Sequence, residues 1–497
     1  MIRPFIYPVE ESTHLSKSKR VLNNLIWRWL ERTGAQGVSF IVSIVLARLL
    51  GPEVYGTVAL ITVFTAILQV FVDSGMGTAL IQKKDADELD FSSLFYFNVT
   101  MCLVLYVIMV LAAPLIARFY RRPELTPLVR VLSLTLVVSG VKNIQHAYVS
   151  RHMMFRKFFF ATLGGTLGAA ILGIYMAYRG YGVWALVAQH LFNTLVDTII
   201  LWITVKWRPK RMFSLQRLRA LFGYGWKLLV SSLIDKGYNE LRQLIIGKMY
   251  SSEDLAFYNK GRQFPHTIVT NINSAIDSVL LPAMAREQDD RTRVKEMTRR
   301  AIKTSTYIMA PLMIGLAVCA KPVVDLLLTS KWLPCVPFLR IFCVTYMFYP
   351  IHTANLNAIK AVGRSDLFLK LEVLKKAVGL TVLLSTMWFG PLVMAYSALF
   401  TSVLGQIINS WPNRKLLNYP YLEQLKDILP GILLALVMGA IVYLIQLLGL
   451  RDWITLLIQI PLGAVIYIAG SKLLHLDSFH YVLDVGKSYL RKRASNK

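Results

Sequence analysis

Arg48-Leu-Leu-Gly-Pro-Glu53 is a short turn between two long apolar runs, roughly 22–49 and 55–81. Two hundred residues later Lys248-Met-Tyr-Ser-Ser-Glu253 holds the same place between runs at roughly 220–249 and 254–284. A helix that crosses a bilayer takes about 20 mainly apolar residues, so each turn joins two spanning helices. Further echoes follow. Ala-Ala-Pro at 112–114 returns as Ala-Lys-Pro at 320–322, and Leu128-Val-Arg130-Val as Phe338-Leu-Arg340-Ile. The offset grows slowly from 200 to 210, as it does when loops drift between duplicated halves.

Working outward on the same criterion predicts fourteen spans. The first seven lie near 22–49, 55–81, 92–118, 127–150, 157–178, 181–206 and 220–249. The other seven lie near 254–284, 301–328, 333–360, 366–388, 391–411, 427–448 and 452–471. Spans 1–6 match spans 7–12. Six is even, so the halves share one orientation, the arrangement of transporters whose path lies between two lobes. The expected fold is all-α integral membrane, two pseudo-symmetric six-helix lobes plus a C-terminal pair. The expected divisions are a tail at 1–20, an N-lobe at 21–210, a C-lobe at 211–416, the appended pair at 417–475 and a basic tail at 476–497.

The 497 residues are 55% hydrophobic and 17% charged, against about 25% charged in a soluble protein. The net charge of +27 comes from 55 lysines and arginines set in short clusters between apolar runs. That is the pattern of loops facing anionic lipid, not of a nucleic-acid surface. Most of these clusters fall on the side that holds both termini, which the positive-inside rule places in the cytoplasm. Residues 1–20 are polar, and no cleavable signal peptide is expected. Cys102, Cys319, Cys335 and Cys343 form no metal-binding spacing; they read as small apolar residues, although Cys319 and Cys335 flank one outer turn. No loop is long enough for an extramembrane catalytic domain, which argues against a membrane-embedded polymerase or glycosyltransferase. No serine, cysteine or paired-carboxylate arrangement suggests an enzyme. Gly486-Lys-Ser488 lacks the upstream glycine of a phosphate loop. Gly164-x-x-x-Gly168 reads as close helix packing.

Leu46-Ala-Arg-Leu-Leu-Gly-Pro-Glu-Val-Tyr-Gly56 and Asp73-Ser-Gly-Met-Gly-Thr-Ala-Leu-Ile-Gln82 resemble the polysaccharide transporter family of the multidrug/oligosaccharidyl-lipid/polysaccharide exporter superfamily. Leu244-Ile-Ile-Gly247, Phe257-Tyr-Asn-Lys-Gly261 and Val279-Leu-Leu-Pro-Ala283 agree. The resemblance covers roughly residues 20–475 and is nearest to colanic-acid-exporter-like members of the Wzx type. It implies a two-lobed fold with a central cavity, and flipping of an undecaprenyl-pyrophosphate-linked oligosaccharide to the outer leaflet of a bacterial inner membrane. Membrane lipids, a polysaccharide polymerase and a chain-length regulator are the implied partners. Asn239-Glu-Leu-Arg242 departs from the family, whose members more often carry a lone aspartate there.

Ionisable side chains within spans are costly and normally face a wet cavity or a partner. Residues three and four apart share a helix face. Span 1 carries Arg28, Arg32 and Gln36 on one stripe; span 7 carries Asp235, Asn239 and Arg242 on another, with Lys236 and Glu240 beside it. Spans 2 and 8 pair Gln69 and Asp73 with Asn273 and Asp277 at an offset of 204, and Arg262 extends the second stripe. Span 4 adds Lys142, Gln145 and His146, and span 10 answers with His352. The substrate-binding candidates are Arg28, Arg32, Gln36, Lys142, Lys236, Asn239, Arg242, Arg262 and Asn273, because forked guanidinium groups suit phosphate and amides suit sugar hydroxyls. The ion-coupling candidates are Asp73, Asp235, Glu240 and Asp277. No cofactor or metal is expected beyond coupling to a sodium or proton gradient or the membrane potential. Against this stand plain structural readings, Arg28 snorkelling to the interface and the histidines packed as hydrogen-bonders. The competing functions are a multidrug or small-cation exporter, whose cavity should be acidic or apolar, and a non-transporting scaffold.

Overall fold

The computed structural model describes residues 34–73, 76–83 and 85–495. Every regular element among them is helical. The chain divides into two compact units, Met1–Glu253 and Asp254–Lys497. The first holds α1 (Gly34–Leu49), α2 (Pro52–Asp73), α3 (Met76–Gln82), α4 (Glu88–Tyr120), α5 (Leu125–Leu132), α6 (Leu134–Arg151), α7 (Phe155–Tyr178), α8 (Val183–Thr204) and α9 (Leu215–Met249). The second is built from α10 (Ser252–Arg286), α11 (Arg291–Val318), α12 (Ala320–Leu328), α13 (Val336–Met347), α14 (Tyr349–Ala361), α15 (Ser365–Thr386), α16 (Pro391–Leu416), α17 (Tyr421–Leu444), α18 (Asp452–Leu473) and α19 (Asp477–Ser495).

Eleven helical stretches among the described residues are long and apolar enough to cross a membrane. Three more expected spans are helical too: the shorter α1, and α9 and α15, whose interiors carry several charges. The outside is apolar, with Leu111, Leu115, Ile171 and Ile203 all exposed, and Ile171 as much as 73%. Polar groups are buried instead: Asn98, Gln145, Asn355, Asn413 and Gln424 are nearly or wholly enclosed. Lipid as the outer solvent makes that distribution favourable. This is a multi-pass membrane protein.

Helix starts follow from their caps. Asp87 accepts the Asp90 backbone N–H at 2.9 Å while the Asp90 carboxylate accepts that of Asp87 at 3.2 Å, a reciprocal box that opens α4. Asp290 opens α11 in the corresponding place, accepting from Thr292 and Arg293 at 3.0 and 3.1 Å. The close packing expected of Gly164 and Gly168 in span 5 is present: a Cβ added there would lie 2.6 Å from Ile200 and 3.2 Å from Phe192 of α8 respectively. A Cβ added to Gly165 of α7 would lie 2.9 Å from the Asn193 carbonyl oxygen on α8, so only glycine lets these helices meet.

One boundary moves. The repeat divides the halves between residues 210 and 211, whereas the first compact unit runs on to Glu253. The connecting segment explains it: Lys210 and Ser214 donate their backbone N–H groups to Ser92 and Ser93 of α4 at 3.0 and 2.9 Å. The α9 helix that follows packs on α2, α3 and α4.

Candidate functional site

The polar stripe of α9 is largely satisfied along its own helix. Asn239 donates to the Asp235 carboxylate at 3.1 Å, one turn away. Lys236 pairs with Glu240 at 2.8 Å, and Gln243 donates to the other Glu240 oxygen at 2.5 Å. Glu240 is buried, so the structure joins one proposed coupling acid to one proposed substrate cation in a local pair. Arg242 follows half-buried on the same face.

Asp73 and Asp277 occupy matching places and do different work. Asp73 accepts from Gln69 at 3.3 Å within α2. Asp277 accepts from Asn357 at 2.6 Å, which ties α10 to α14. The first unit makes its equivalent tie without the carboxylate: Asn143 of α6 donates to the Val72 carbonyl oxygen of α2 at 2.5 Å. Asn273, one turn before Asp277, is buried with neither amide atom hydrogen-bonded. Arg262 donates through Nε to the Tyr346 hydroxyl at 3.0 Å. Gln36 is exposed on α1, and Arg28 and Arg32 lie outside the described residues.

Lys142, a substrate-binding candidate, is ion-paired within the first unit. Its ammonium donates to Asp197 of α8 at 2.8 Å. Asp197 escaped the reading of the sequence because span 6 was taken as a plain apolar run. The available signal was the carboxylate itself, which within a span requires a counter-ion. The histidines pack, as their structural reading has it: His146 stacks on Phe158 at 4.3 Å, and His352 accepts or shares a bond with Asn409 at 2.9 Å. A second feature not foreseen is the amide cluster between α14, α16 and α17, where Asn355 bonds Gln424 and Asn413 at 2.8 and 2.7 Å.

The ends with the basic loops carry ion pairs. Lys83 and Arg217 meet the enclosed Asp90 at 2.5 and 3.9 Å. Arg299 meets Asp427 at 2.6 Å, and Lys303 meets Asp477 at 3.2 Å, which docks the start of α19 on α11. Two cavities of about 180 and 420 Å³ open there, both lined by Lys303 and Asp477; none of the proposed site residues lines either. In the segment before α4, the backbone N–H of Asp90 holds the Asp87 carboxyl below the usual carboxylate range. Among the described residues no group of histidine, cysteine, aspartate and glutamate could hold a metal ion, and all four cysteines are free and buried. The arrangement is one of embedded ion pairs and amides, suited to binding and conformational change.

Comparison with known proteins agrees with that chemistry. The family described as "Polysaccharide biosynthesis protein" matches residues 45–337. The succinoglycan biosynthesis transport protein ExoT of Rhizobium meliloti is 26% identical over 348 residues, 70% of each chain. The lipopolysaccharide biosynthesis protein WzxC of Escherichia coli is 24% identical over 368 residues, covering 73% of this chain and 74% of that one. In fold, the lipid II flippase MurJ in its inward closed conformation superposes with a TM-score of 0.75 at 15% identity, over 91% of this chain and 99% of its own. The family match covers more than half of the chain, and with the helical fold and the embedded polar groups it shows that the chain belongs to the polysaccharide biosynthesis protein family.

Proposed function

We propose that this protein flips an undecaprenyl-pyrophosphate-linked oligosaccharide repeat unit from the cytoplasmic to the outer leaflet of a bacterial inner membrane, by alternating access. The observation that carries the reading is the polar stripe of α9, where the exposed Asp235 and Asn239 and the half-buried Arg242 share one helix face, in a chain of a polysaccharide biosynthesis family. Guanidinium groups at Arg242, Arg28 and Arg32 would engage the pyrophosphate through paired N–H donors, and amides such as Asn239 and Asn273 would meet sugar hydroxyls. Asp235 would take the coupling proton or sodium ion, or the membrane potential would drive the anionic head group directly. Both termini face the cytoplasm in this reading, and a polysaccharide polymerase and chain-length regulator receive the product.

The test is reconstitution in proteoliposomes with a fluorescent undecaprenyl-pyrophosphate-linked oligosaccharide, its exposure read by a membrane-impermeant quencher. Protein-dependent movement of this lipid supports the reading. Movement of small organic cations without movement of the lipid overturns it in favour of a multidrug exporter.

A further inference from the structure

The corner where α6, α7 and α8 meet recurs where α14, α15 and α16 meet, and the register is fixed by backbone landmarks. Met153 and Gly363, both at positive φ (53° and 75°), end the first helix of each trio at an offset of 210. Gly182 and Gly390 open the last helix at an offset of 208. Lys142 therefore matches His352, Gly165 matches Lys375, and Asp197 matches Gly405. The contacts match as well. In the first unit Lys142 reaches Asp197 at 2.8 Å, and a Cβ on Gly165 would lie 3.2 Å from that of Asp197. In the second, a Cβ on Gly405 would lie 3.1 Å from His352 and 3.6 Å from Lys375.

The two corners hold their charge differently. In the second unit Lys375 is cancelled by Glu372 of its own helix at 2.6 Å, and the bond between helices is the His352–Asn409 contact. In the first unit the bond between helices is itself the ion pair. The α6 turn that bears Lys142 lies against the end of α2, where Asn143 donates to the Val72 carbonyl oxygen, next to Asp73, at 2.5 Å. Asp197 holds the ammonium through Oδ2, and its Oδ1 atom is buried with no hydrogen-bond donor among the described residues. An acceptor left open beside an ion-paired ammonium within a span is a seat for a small cation.

We infer that Asp197 is a monovalent-cation acceptor of the first unit: a proton or sodium ion on its open oxygen competes with Lys142, and the released ammonium then meets an anionic head group on the Asp73 side. A proton arriving from water converts the carboxylate to a carboxyl, and Lys142 keeps all three of its own protons. Only the meeting of the released ammonium with a head group rests on the proposed function. Other titratable groups on the packed helices include His146 on α6, His190 on α8, Arg130 on α5, Cys102 on α4 and Lys157 on α7, the last held by the Thr204 carbonyl oxygen at 2.7 Å. An effector shifts a conformational equilibrium only through its different affinity for the two states, which the exchange of Lys142 between partners supplies.

The experiment uses the full chain. Purified wild type and Asp197→Asn are titrated by infrared difference spectroscopy for carboxyl protonation, and by binding of radioactive sodium. Proteoliposomes of both, and of the Lys142→His/Asp197→Asn pair that removes the ion pair of the first corner, are assayed for lipid flipping under imposed proton and sodium gradients. The expected result is a carboxyl band or sodium site lost in Asp197→Asn. Flipping in wild type should rise about fivefold or more with the matching gradient, and that response should vanish in the folded, monodisperse pair variant. An unchanged carboxyl signal and unchanged sodium binding in Asp197→Asn overturn the inference, as does a pair variant with the wild-type gradient response. A wild type that shows the cation site yet flips no lipid overturns the proposed function and leaves the site standing.

Discussion

Asn357 donates to the carboxylate of Asp277 across 2.6 Å, joining α14 to α10 from positions 80 residues apart. A hydrogen bond to a charged acceptor contributes about 1.5–3 kcal/mol, and more is lost when one partner stays behind unpaired. Asn357→Ala should therefore lower the thermal midpoint of the detergent-solubilised protein by several degrees. Asp277→Ala should do likewise, and the double variant should lose less than the two separate losses combined. Additive losses would show that the contact carries no energy of its own.

The cap of α4 predicts a pH dependence. Asp87 is held below its ordinary range chiefly by the backbone N–H of Asp90, so its folded pKa is depressed. Its contribution is then present above the unfolded pKa and lost as pH falls through the folded one. Asp87→Ala should cost about 1 kcal/mol near neutrality. The gap between variant and wild type should close as thermal melts are taken to pH values below the usual carboxylate range.

Gly165 sets the spacing of α7 and α8. An alanine there would place its Cβ 2.9 Å from backbone and side-chain oxygens of Asn193, and those backbone atoms cannot step aside cheaply. Gly165→Ala should destabilise by about 1–3 kcal/mol and Gly165→Leu should prevent accumulation in the membrane. Gly180→Ala tests a different cause, since that residue has open space around it but sits at φ 83°.

Orientation is testable by reporter fusions. A phosphatase fused within 208–211 should be inactive and one fused at Ser251 active, as expected if the basic ends face the cytoplasm. The reverse pattern at both places would overturn the assignment of the sides.

Arg242→Ala should abolish polymer export while the protein still accumulates, and Arg242→Lys should restore it only in part, because lysine keeps the charge and loses the fork. Normal export by the alanine variant would remove the guanidinium from the substrate path.

The fourteen helical spans and the duplicated halves were legible because they show in runs of neighbouring residues. Hydropathy over 20 residues and a turn such as Gly51-Pro52 are local facts. Period also showed that Asp235, Asn239 and Arg242 share a face, and the structure adds the Asn239–Asp235 bond on that face. What the period of a helix leaves open is its rotation against its neighbours. Lys142 and Asp197 are 55 residues apart, and Arg299 and Asp427 are 128 apart. No spacing rule links such pairs. The same limit applies to the 205–214 segment, since the serines of α4 that hold it lie more than a hundred residues before it. Sequence alone determined that charges lie inside the membrane; only the packed helices decided which of them cancel.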